Sequence, residues 1–180
     1  MTTDLPNLDD KPTTRLFMLE EVERDIAEGK LYPGKRLTPE GIDAWSTFLR
    51  VAVTEQNDVW LEGNFNQPQY WLVQEPYERA GVQRFRAVNR SAAVHTLVTG
   101  EFLRFYLRGV CRRALEEGRR LRVVRLRPVS QPRPGSEAKI GNEVDAQALL
   151  DDLRRNPGIE TFLQIPGGPN SGLGVVIVDD

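Results

Sequence analysis

Apolar residues in this 180-residue chain never run for more than five positions, and their spacing changes along the chain. In the first third they recur every three or four positions, which is typical of helices that bury one face. From residue 59 onward, helical spacing alternates with short stretches of alternating or continuous apolar residues, which favour strands. Helices and strands mixed in this order predict an α+β fold.

The length of the chain indicates one domain of ordinary size. Hydrophobic residues make up 39% of the sequence, which is enough for a buried core. We predict a flexible N-terminal arm over residues 1–12 and a single α+β domain over residues 13–180. The apolar runs are far shorter than the roughly 20 residues of a membrane-spanning helix. Because the first residues also lack a basic-then-apolar signal pattern, we expect a cytoplasmic protein without a membrane partner.

Four segments carry the signals of helices. Thr38 followed by Pro39 is a typical helix start, Gly118 is a typical stop, and Asp145 is a typical cap. The segments form two N-terminal helices, one long central helix and one short C-terminal helix: residues 13–28, 38–53, 91–117 and 146–155.

The spacing of apolar residues also predicts which side of the first two helices is buried. In the first helix the predicted buried stripe is Leu16, Leu19, Val22 and Ile26, and the glutamates at 20, 21 and 23 face solvent. In the second helix the predicted core residues are Ile42, Trp45, Leu49 and Val53.

Six further segments have the alternation, or the β-branched and aromatic content, of strands. Prolines and glycines between them mark turns and loops, among them a proline-rich loop at 131–135 and a glycine-rich loop at 166–172. The six segments predict a mixed or antiparallel sheet of five to six strands: residues 59–65, 69–74, 83–88, 120–129, 159–165 and 173–178.

Charge is distributed unevenly, although the formal net charge is only −2. Residues 1–90 carry 11 basic and 15 acidic side chains, whereas residues 91–180 carry 13 and 11. Within the second half, residues 104–133 hold ten arginines, and only Glu116 and Glu117 oppose them. We call this stretch the arginine band.

A band of this density needs anions nearby. Arg104, Arg108 and Arg112 are four residues apart, so they share one helix face, where like charges repel by a few tenths of a kcal/mol per pair. Guanidinium groups pair with carboxylates and phosphates. The anions come either from nucleic acid, from an acidic protein partner, or from the chain's own acidic first helix, in the same chain or in a neighbouring copy.

We predict that nine arginines of the band form a partner-binding surface: Arg104, Arg108, Arg112, Arg113, Arg119, Arg120, Arg122, Arg125 and Arg127. Arginine and tryptophan are the residues most enriched at interface hot spots, and the chain also has three tryptophans. The expected partner is an acidic protein surface or another subunit of the same complex, and nucleic acid is the alternative.

No catalytic residue, metal site or cofactor is predicted. The only cysteine, Cys111, and the only histidine, His95, fall on one predicted helix, sixteen positions and about 24 Å apart. That distance is too long for a thiolate and its base. Because the chain has one cysteine and one histidine, it also lacks the paired cysteines and histidines of the usual zinc sites. The sequence therefore leans away from an enzyme, although an active site of carboxylates alone would leave no such pattern.

Two short motifs resemble functional ones. Glu137 and Lys139 have the spacing of the Glu-x-Lys half of the PD-(D/E)xK nuclease core, which binds magnesium. The aspartate of that core is missing, because no aspartate lies between Asp58 and Asp145. The glycine-rich loop 166–174 follows a predicted strand, as phosphate-binding loops do, but no helix comes after it. We therefore expect a structural hairpin loop there.

The sequence thus predicts a non-catalytic binding or assembly protein that uses an arginine-rich helix and strand to engage an acidic partner. The alternative is a nucleic-acid-binding protein, with a magnesium-dependent nuclease that uses Glu137 and Lys139 as one form of it. No cofactor is predicted for the binding or assembly protein, and only the nuclease form of the alternative would need magnesium.

Overall fold

The computed structural model describes residues 8, 11–129, 132, 134–158, 161–168 and 171–178. A single turn of 3-10 helix, Pro68–Tyr70, lies between the third and fourth of its α-helices. Within the described residues the α-helices are α1 (Pro12–Ala27), α2 (Pro39–Thr54), α3 (Asp58–Phe65), α4 (Arg90–Glu117), α5 (Pro134–Glu137) and α6 (Ala146–Arg155).

Five strands of the described part form two small antiparallel sheets: β1 (Gln74–Arg79), β2 (Val82–Ala87), β3 (Arg120–Arg125), β4 (Glu143–Val144) and β5 (Leu173–Val178). Strands β1 and β2 form a hairpin of their own, and the other three form a sheet in the order β4-β3-β5. The α+β fold is confirmed, but the single sheet of five to six strands is wrong. Strands β1 and β2 pair only with each other, so they extend no larger sheet.

Helix α4 forms the centre of the fold, and α1, α3 and α6 pack around it. A fully buried leucine or phenylalanine contributes about 1.5–3 kcal/mol to folding, so the apolar face along α4 is the main source of stability. Side chains with no exposed surface in this core include Met18, Trp45, Phe65, Phe102, Leu107 and Leu149.

Helices α1 and α4 come closest at Gly109. A Cβ atom at this position would lie 2.8 Å from Met18 Cγ and 2.8 Å from the carbonyl oxygen of Thr14. Real Cβ atoms do not approach other atoms this closely, so glycine is what lets the two helices meet here. This contact brings the acidic side of α1 against the arginines of α4.

The predicted helix boundaries are largely confirmed. Helix α4 ends at Glu117, and Gly118 adopts a φ of +63°, as expected of a glycine that ends a helix. Thr38 caps α2 by accepting a hydrogen bond from Gly41 N at 3.0 Å. Asp145 caps α6 by accepting one from Ala148 N at 2.7 Å.

The first two predicted strands are wrong. Residues 59–65 lie in α3, which begins because the Asn57 side chain accepts a hydrogen bond from Trp60 N at 2.8 Å. Residues 69–74 contain the end of the 3-10 turn, and Trp71 makes one bridge with Leu37. The aromatic residues that suggested strands pack instead against Phe48 of α2 and against one another.

The predicted strand at 159–165 is wrong over residues 161–165, where the chain turns, and residues 159 and 160 lie outside the described part. The carboxylate of Asp152 accepts hydrogen bonds from Phe162 N at 2.9 Å and Leu163 N at 2.6 Å, which holds the chain away from a sheet. The loop at 166–172 therefore does not join two strands of a hairpin. The strand at 173–178 is confirmed as β5.

The predicted burial of α1 is partly wrong. Val22 is buried as expected, but Leu16 is 52% exposed, and Glu21, expected in solvent, is buried together with Asp25. The reason is Arg108 of α4, which draws these carboxylates to the helix interface. Ile42 of α2 is likewise more exposed than predicted, at 48%.

Two further expectations fall partly outside the described residues. Residues 1–7, 9 and 10 of the predicted arm are not described, and α1 begins at Pro12, the last residue assigned to the arm. In the proline-rich loop predicted at 131–135, residues 131 and 133 are not described, and the loop is wrong at residues 134 and 135, which begin α5. Among the described helices, none combines the length and apolar character that crossing a membrane requires.

Candidate functional site

The arginine band divides between two elements. Four of the nine predicted partner-binding residues lie on α4, and the other five lie on or beside β3: Arg104, Arg108, Arg112 and Arg113, then Arg119, Arg120, Arg122, Arg125 and Arg127. Among the nine, only Arg120 and Arg122 are exposed, and Arg104, Arg108 and Arg113 are buried.

Arg108 is a fully buried guanidinium with all its nitrogens engaged. Its two terminal nitrogens donate to the two carboxylate oxygens of Asp25 at 2.6 and 2.7 Å, and its Nε donates to Glu21 Oε2 at 2.8 Å. Its charged carbon lies 4.9 Å from the centroid of the Phe105 ring. Such bidentate pairs are among the strongest hydrogen bonds in proteins, so this group has its counter-ions within the chain.

Glu21 joins three helices. Besides Arg108 of α4, it accepts hydrogen bonds from Arg154 of α6 at 2.6 and 2.9 Å. Burial by itself would raise the pKa of Glu21, but the hydrogen bonds and charges of Arg154 and Arg108 outweigh burial and lower that pKa. Glu21 is therefore ionised at neutral pH and ties α1, α4 and α6 together.

The remaining helix arginines also have partners in the chain. Arg112 lies 2.6 Å from the Glu20 carboxylate and 4.3 Å from the centroid of the Phe17 ring, and about a quarter of its side chain stays exposed. Arg113 donates to Thr14 Oγ1 at 3.0 Å. Arg112 thus pairs with the acidic first helix, whereas the ion pair of Arg113 is with Glu117 of its own helix, 2.9 Å away. A role for them in binding a partner stays a prediction.

Arg104 holds a second buried carboxylate, Glu101. Its Nε donates to Glu101 Oε1 at 3.3 Å, and one terminal nitrogen donates to the Asn156 carbonyl at 2.5 Å. Burial raises the pKa of Glu101, which the charge of Arg104 only partly offsets. For Glu101, burial thus outweighs the ion pair with Arg104.

On β3, side chains alternate between the core and the surface. Leu121 and Val123 point into the core, so Arg120 and Arg122 share the outer face of the sheet. Arg120 donates to Glu143 of β4 at 2.7 Å. Among the described residues, Arg122 has no hydrogen-bond or ion-pair partner for its side chain.

The last three arginines lie at or next to the ends of β3, the central strand. Arg119 donates to the Val178 carbonyl at 3.3 Å, and Arg127 donates to Asp58 at 3.0 Å. Arg125 pairs with Glu137 and also donates to the Ser171 carbonyl at 2.6 Å. Their side chains connect β3 and its flanks to β5, α3, α5 and the segment at Ser171, and they keep only part of their surface exposed.

A second arginine surface, missed by the sequence analysis, lies on the hairpin of β1 and β2. Tyr77 is opposite Arg84, and Arg79 and Arg86 occupy alternate positions on the same face. The guanidinium of Arg86 lies 5.7 Å from the centroid of the Tyr77 ring. Alternation of arginine at 84 and 86 was the available signal, but the strand pairing was needed to place Arg79 beside them.

The residues considered for chemistry are not brought together. Glu137 ends α5 and pairs with Arg125, whereas Lys139 follows in a turn and donates to the Leu163 carbonyl at 2.9 Å, so neither lies on a strand. Burial raises the pKa of the Cys111 thiol. His95 instead contacts Glu62, 3.1 Å away. In the part of the chain that is described, no group of three acidic, histidine or cysteine side chains is placed to hold a metal ion.

Comparison with known proteins adds no relative: no protein-family model, no curated protein and no solved structure matches this chain. The interpretation of the arginine surfaces therefore depends on the geometry and charge of the chain's own residues.

Proposed function

We propose that this protein is a non-catalytic binding or assembly protein that engages an acidic protein partner through the outer face of the β4-β3-β5 sheet. One observation supports this most: Arg122 is exposed in the central strand, and among the described residues its side chain makes no hydrogen bond or ion pair, because Glu143 opposite it on β4 pairs with Arg120. An unpaired guanidinium is free to form a bidentate pair with a carboxylate of another molecule.

The surroundings of Arg122 suit a protein partner. Val176 and Val178 of β5 lie opposite Arg122 and Arg120 on the same face, and both valines are half-buried. A partner would therefore cover aliphatic surface as well as charge. Interfaces combine arginine with apolar side chains in this way, because removing the apolar groups from water adds affinity that exposed charge pairs alone do not supply.

The helix arginines take a smaller part in this proposal. Arg108 already has two carboxylates and no exposed surface, so a partner has no access to it. Arg112 keeps a quarter of its side chain exposed beside Glu20 and extends the basic surface at its edge. The band thus has an inner part that holds α1, α4 and α6 together and an outer part that is available for binding.

A second candidate function is nucleic-acid binding, which the hairpin favours. Three arginines share one face of the two-stranded ribbon with Tyr77. Arg86 pairs with Glu75 of that face, but among the described residues Arg79 and Arg84 make no side-chain hydrogen bond or ion pair. A two-stranded ribbon fits the major groove of DNA, and an aromatic ring between arginines suits stacking on a single strand.

The test is a binding titration with three probes: a fluorescently labelled poly-glutamate peptide, single-stranded DNA and double-stranded DNA, each at two salt concentrations. The proposal expects poly-glutamate to bind. Charge reversal in Arg120→Glu/Arg122→Glu should weaken this binding by about threefold to tenfold per residue, which corresponds to about 0.6–1.4 kcal/mol for each lost pair.

Arg24→Glu is the matched control, because Arg24 is an exposed arginine of α1 and the substitution makes the same charge change per residue. Equal binding of poly-glutamate to the wild type, the double variant and the control would overturn the proposal. Preferential binding of DNA, lost in Arg79→Glu/Arg84→Glu, would favour the second candidate. In that case the logarithm of the affinity should fall with the logarithm of salt, with a slope of about −2 to −3 for three phosphate contacts.

A further inference from the structure

A cleft of about 490 Å³ runs along α4, and its lining includes Arg104 of the arginine band and Glu75 of β1, which pairs with Arg86 of the hairpin. Its floor is the stripe of α4 that carries Ala93, Leu97 and Glu101, which recur every four residues. The segment 32–36 forms one wall, and the loop residues 166 and 168 contribute to another. This volume lies within the range of roughly 300–1,000 Å³ that is usual for small-molecule sites.

The middle of the cleft is apolar. Ala93 and Leu97 of the floor are buried, and Trp71 closes one side. Gly34 lies over Leu97: its φ is +78°, and a Cβ there would already be 3.4 Å from Leu97 Cδ1. At Gly34 the backbone of this wall therefore lies close to the floor, and position 34 has no side chain that would occupy the cleft.

A positive charge lies in the wall. Lys35 is exposed, and among the described residues its ammonium group has no hydrogen-bond or ion-pair partner. Arg36 uses Nε and one terminal nitrogen on Glu75, at 2.6 and 3.1 Å, which leaves its other terminal nitrogen as a donor. Lys35 and this nitrogen are two donors that the chain itself does not use.

A carboxylate lies farther along the floor. Glu101 is 4% exposed, and the one hydrogen bond that the described residues give it comes from Arg104. Counting all charged side chains that line the cleft gives three cations (Lys35, Arg36, Arg104) and two carboxylates (Glu75, Glu101). The excess of positive charge, which protonation of Glu101 would increase, attracts an anion.

We propose that this cleft binds an organic anion with an apolar body, whose acid group lies at Lys35 and Arg36 and whose body lies on Ala93 and Leu97. Arg120 and Arg122 of the sheet face do not line this cleft, so a failed test of the cleft would leave the proposed function untouched. Carboxylate, sulfonate and phosphate monoester ligands share this chemistry.

A pair of dyes with the same ring system tests the proposal. Anilinonaphthalene sulfonate carries an acid group, and phenylnaphthylamine lacks it, and both fluoresce when they enter an apolar site. The wild type should bind the sulfonate dye saturably and more tightly than the neutral dye. Lys35→Glu should weaken the affinity for the sulfonate dye by about threefold to tenfold. The affinity for the neutral dye should stay within about twofold of the wild-type value.

Thr96→Trp is the second variant, because Thr96 is exposed on α4 and lines the cleft, so an indole there occupies the space of the ligand. It should abolish saturable binding of both dyes. Arg24→Glu, which makes the same charge change as Lys35→Glu, should leave both affinities unchanged. Thermal melts followed by circular dichroism check that each variant is folded.

Two outcomes would overturn the proposal. One is sulfonate binding that is equal in the wild type, Lys35→Glu and Thr96→Trp, which would show that the dye binds elsewhere. The other is a wild type that binds the neutral dye as tightly as the sulfonate dye, which would show an apolar site without anion selectivity.

Discussion

Single charged residues decide how α1 and α4 meet. Glu21 and Asp25 are turned inward because Arg108, itself without exposed surface, offers them hydrogen bonds that water would otherwise supply. A buried ion pair of this kind adds little net stability over an apolar pair, but the removal of one member leaves an uncompensated charge inside the protein. The cluster therefore fixes which faces of the helices pack.

The acid stability of the protein should depend on Glu21. Its folded-state pKa lies below the ordinary value of 4.5, so its contribution to stability is complete above pH 4.5 and is lost as the pH falls through the folded-state pKa. Urea unfolding at a series of pH values measures this. Glu21→Gln should be less stable at neutral pH and should lose less stability on acidification than the wild type.

Glu28→Gln serves as the control for Glu21→Gln, because the pKa of Glu28 is also lowered but its carboxylate pairs with Lys30 and Arg24 at the surface. This variant should keep nearly the same pH dependence as the wild type. A Glu21→Gln profile that runs parallel to the wild type below pH 4.5 would contradict the buried cluster.

Glu101 should change the pH dependence of stability in the direction opposite to that of Glu21. Burial raises its pKa above 4.5, while Arg104, Asp25 and Arg108 also act on it. The stability that depends on its protonated form is complete below pH 4.5 and is lost as the pH rises through the folded-state pKa. Glu101→Gln should therefore gain stability relative to the wild type as the pH rises above 4.5. Thermal melting over this range measures the difference, and a difference that stays constant with pH would contradict it.

At the scale of elements, helix ends were predictable and aromatic segments were not. A helix end depends on contacts within one helical turn, as at Thr38, Gly118 and Asp145. The local sequence is therefore enough to predict where the helix begins or ends. Residues 59–65 have the composition of a strand, but Asn57 caps a helix there and the aromatic rings pack on α2. The helical state of α3 depends on packing against a distant segment, and the local sequence pattern contains no information about that packing.

Substitution by alanine at two helix glycines should change the unfolding free energy in opposite directions. Gly109→Ala places a Cβ 2.8 Å from Thr14 O, so α1 must shift, and we expect a loss of about 1–3 kcal/mol of unfolding free energy. Gly63→Ala in α3 meets no atom within 4 Å, so the better helix propensity of alanine should add about 0.5–1 kcal/mol. Urea unfolding of both variants measures the contrast, and equal effects would contradict the close contact of α1 and α4.

At the scale of the molecule, the helices form a body around α4, and the hairpin of β1 and β2 is mostly exposed on both faces. The sequence indicated the arginine band and its possible acidic partner in the first helix. It gave no means to separate buried from exposed arginines, because a spacing of four residues shows that side chains share a face but not what that face meets. The cleft along α4 likewise brings together segments far apart in the chain, so no motif marks it.

The exposure of the hairpin should govern proteolysis. Arg79, Arg84 and Arg86 lie on exposed strands, whereas Arg108 and Arg113 are buried in α4. Limited trypsin digestion of the native protein, followed by mass spectrometry, should therefore show cleavage in the hairpin well before cleavage in α4. Early cleavage after Arg108 would contradict the arrangement of the helices.

The division of the arginine band into an inner and an outer part is tested most directly by the unfolding free energies of Arg108→Met and Arg122→Met, measured in urea under the same conditions. Arg108→Met leaves Glu21 and Asp25 buried without their shared cation, so it should lose about 3–5 kcal/mol. Arg122→Met removes an exposed, unpaired side chain and should stay within about 0.5 kcal/mol of the wild type. Similar losses in the two variants would contradict the division.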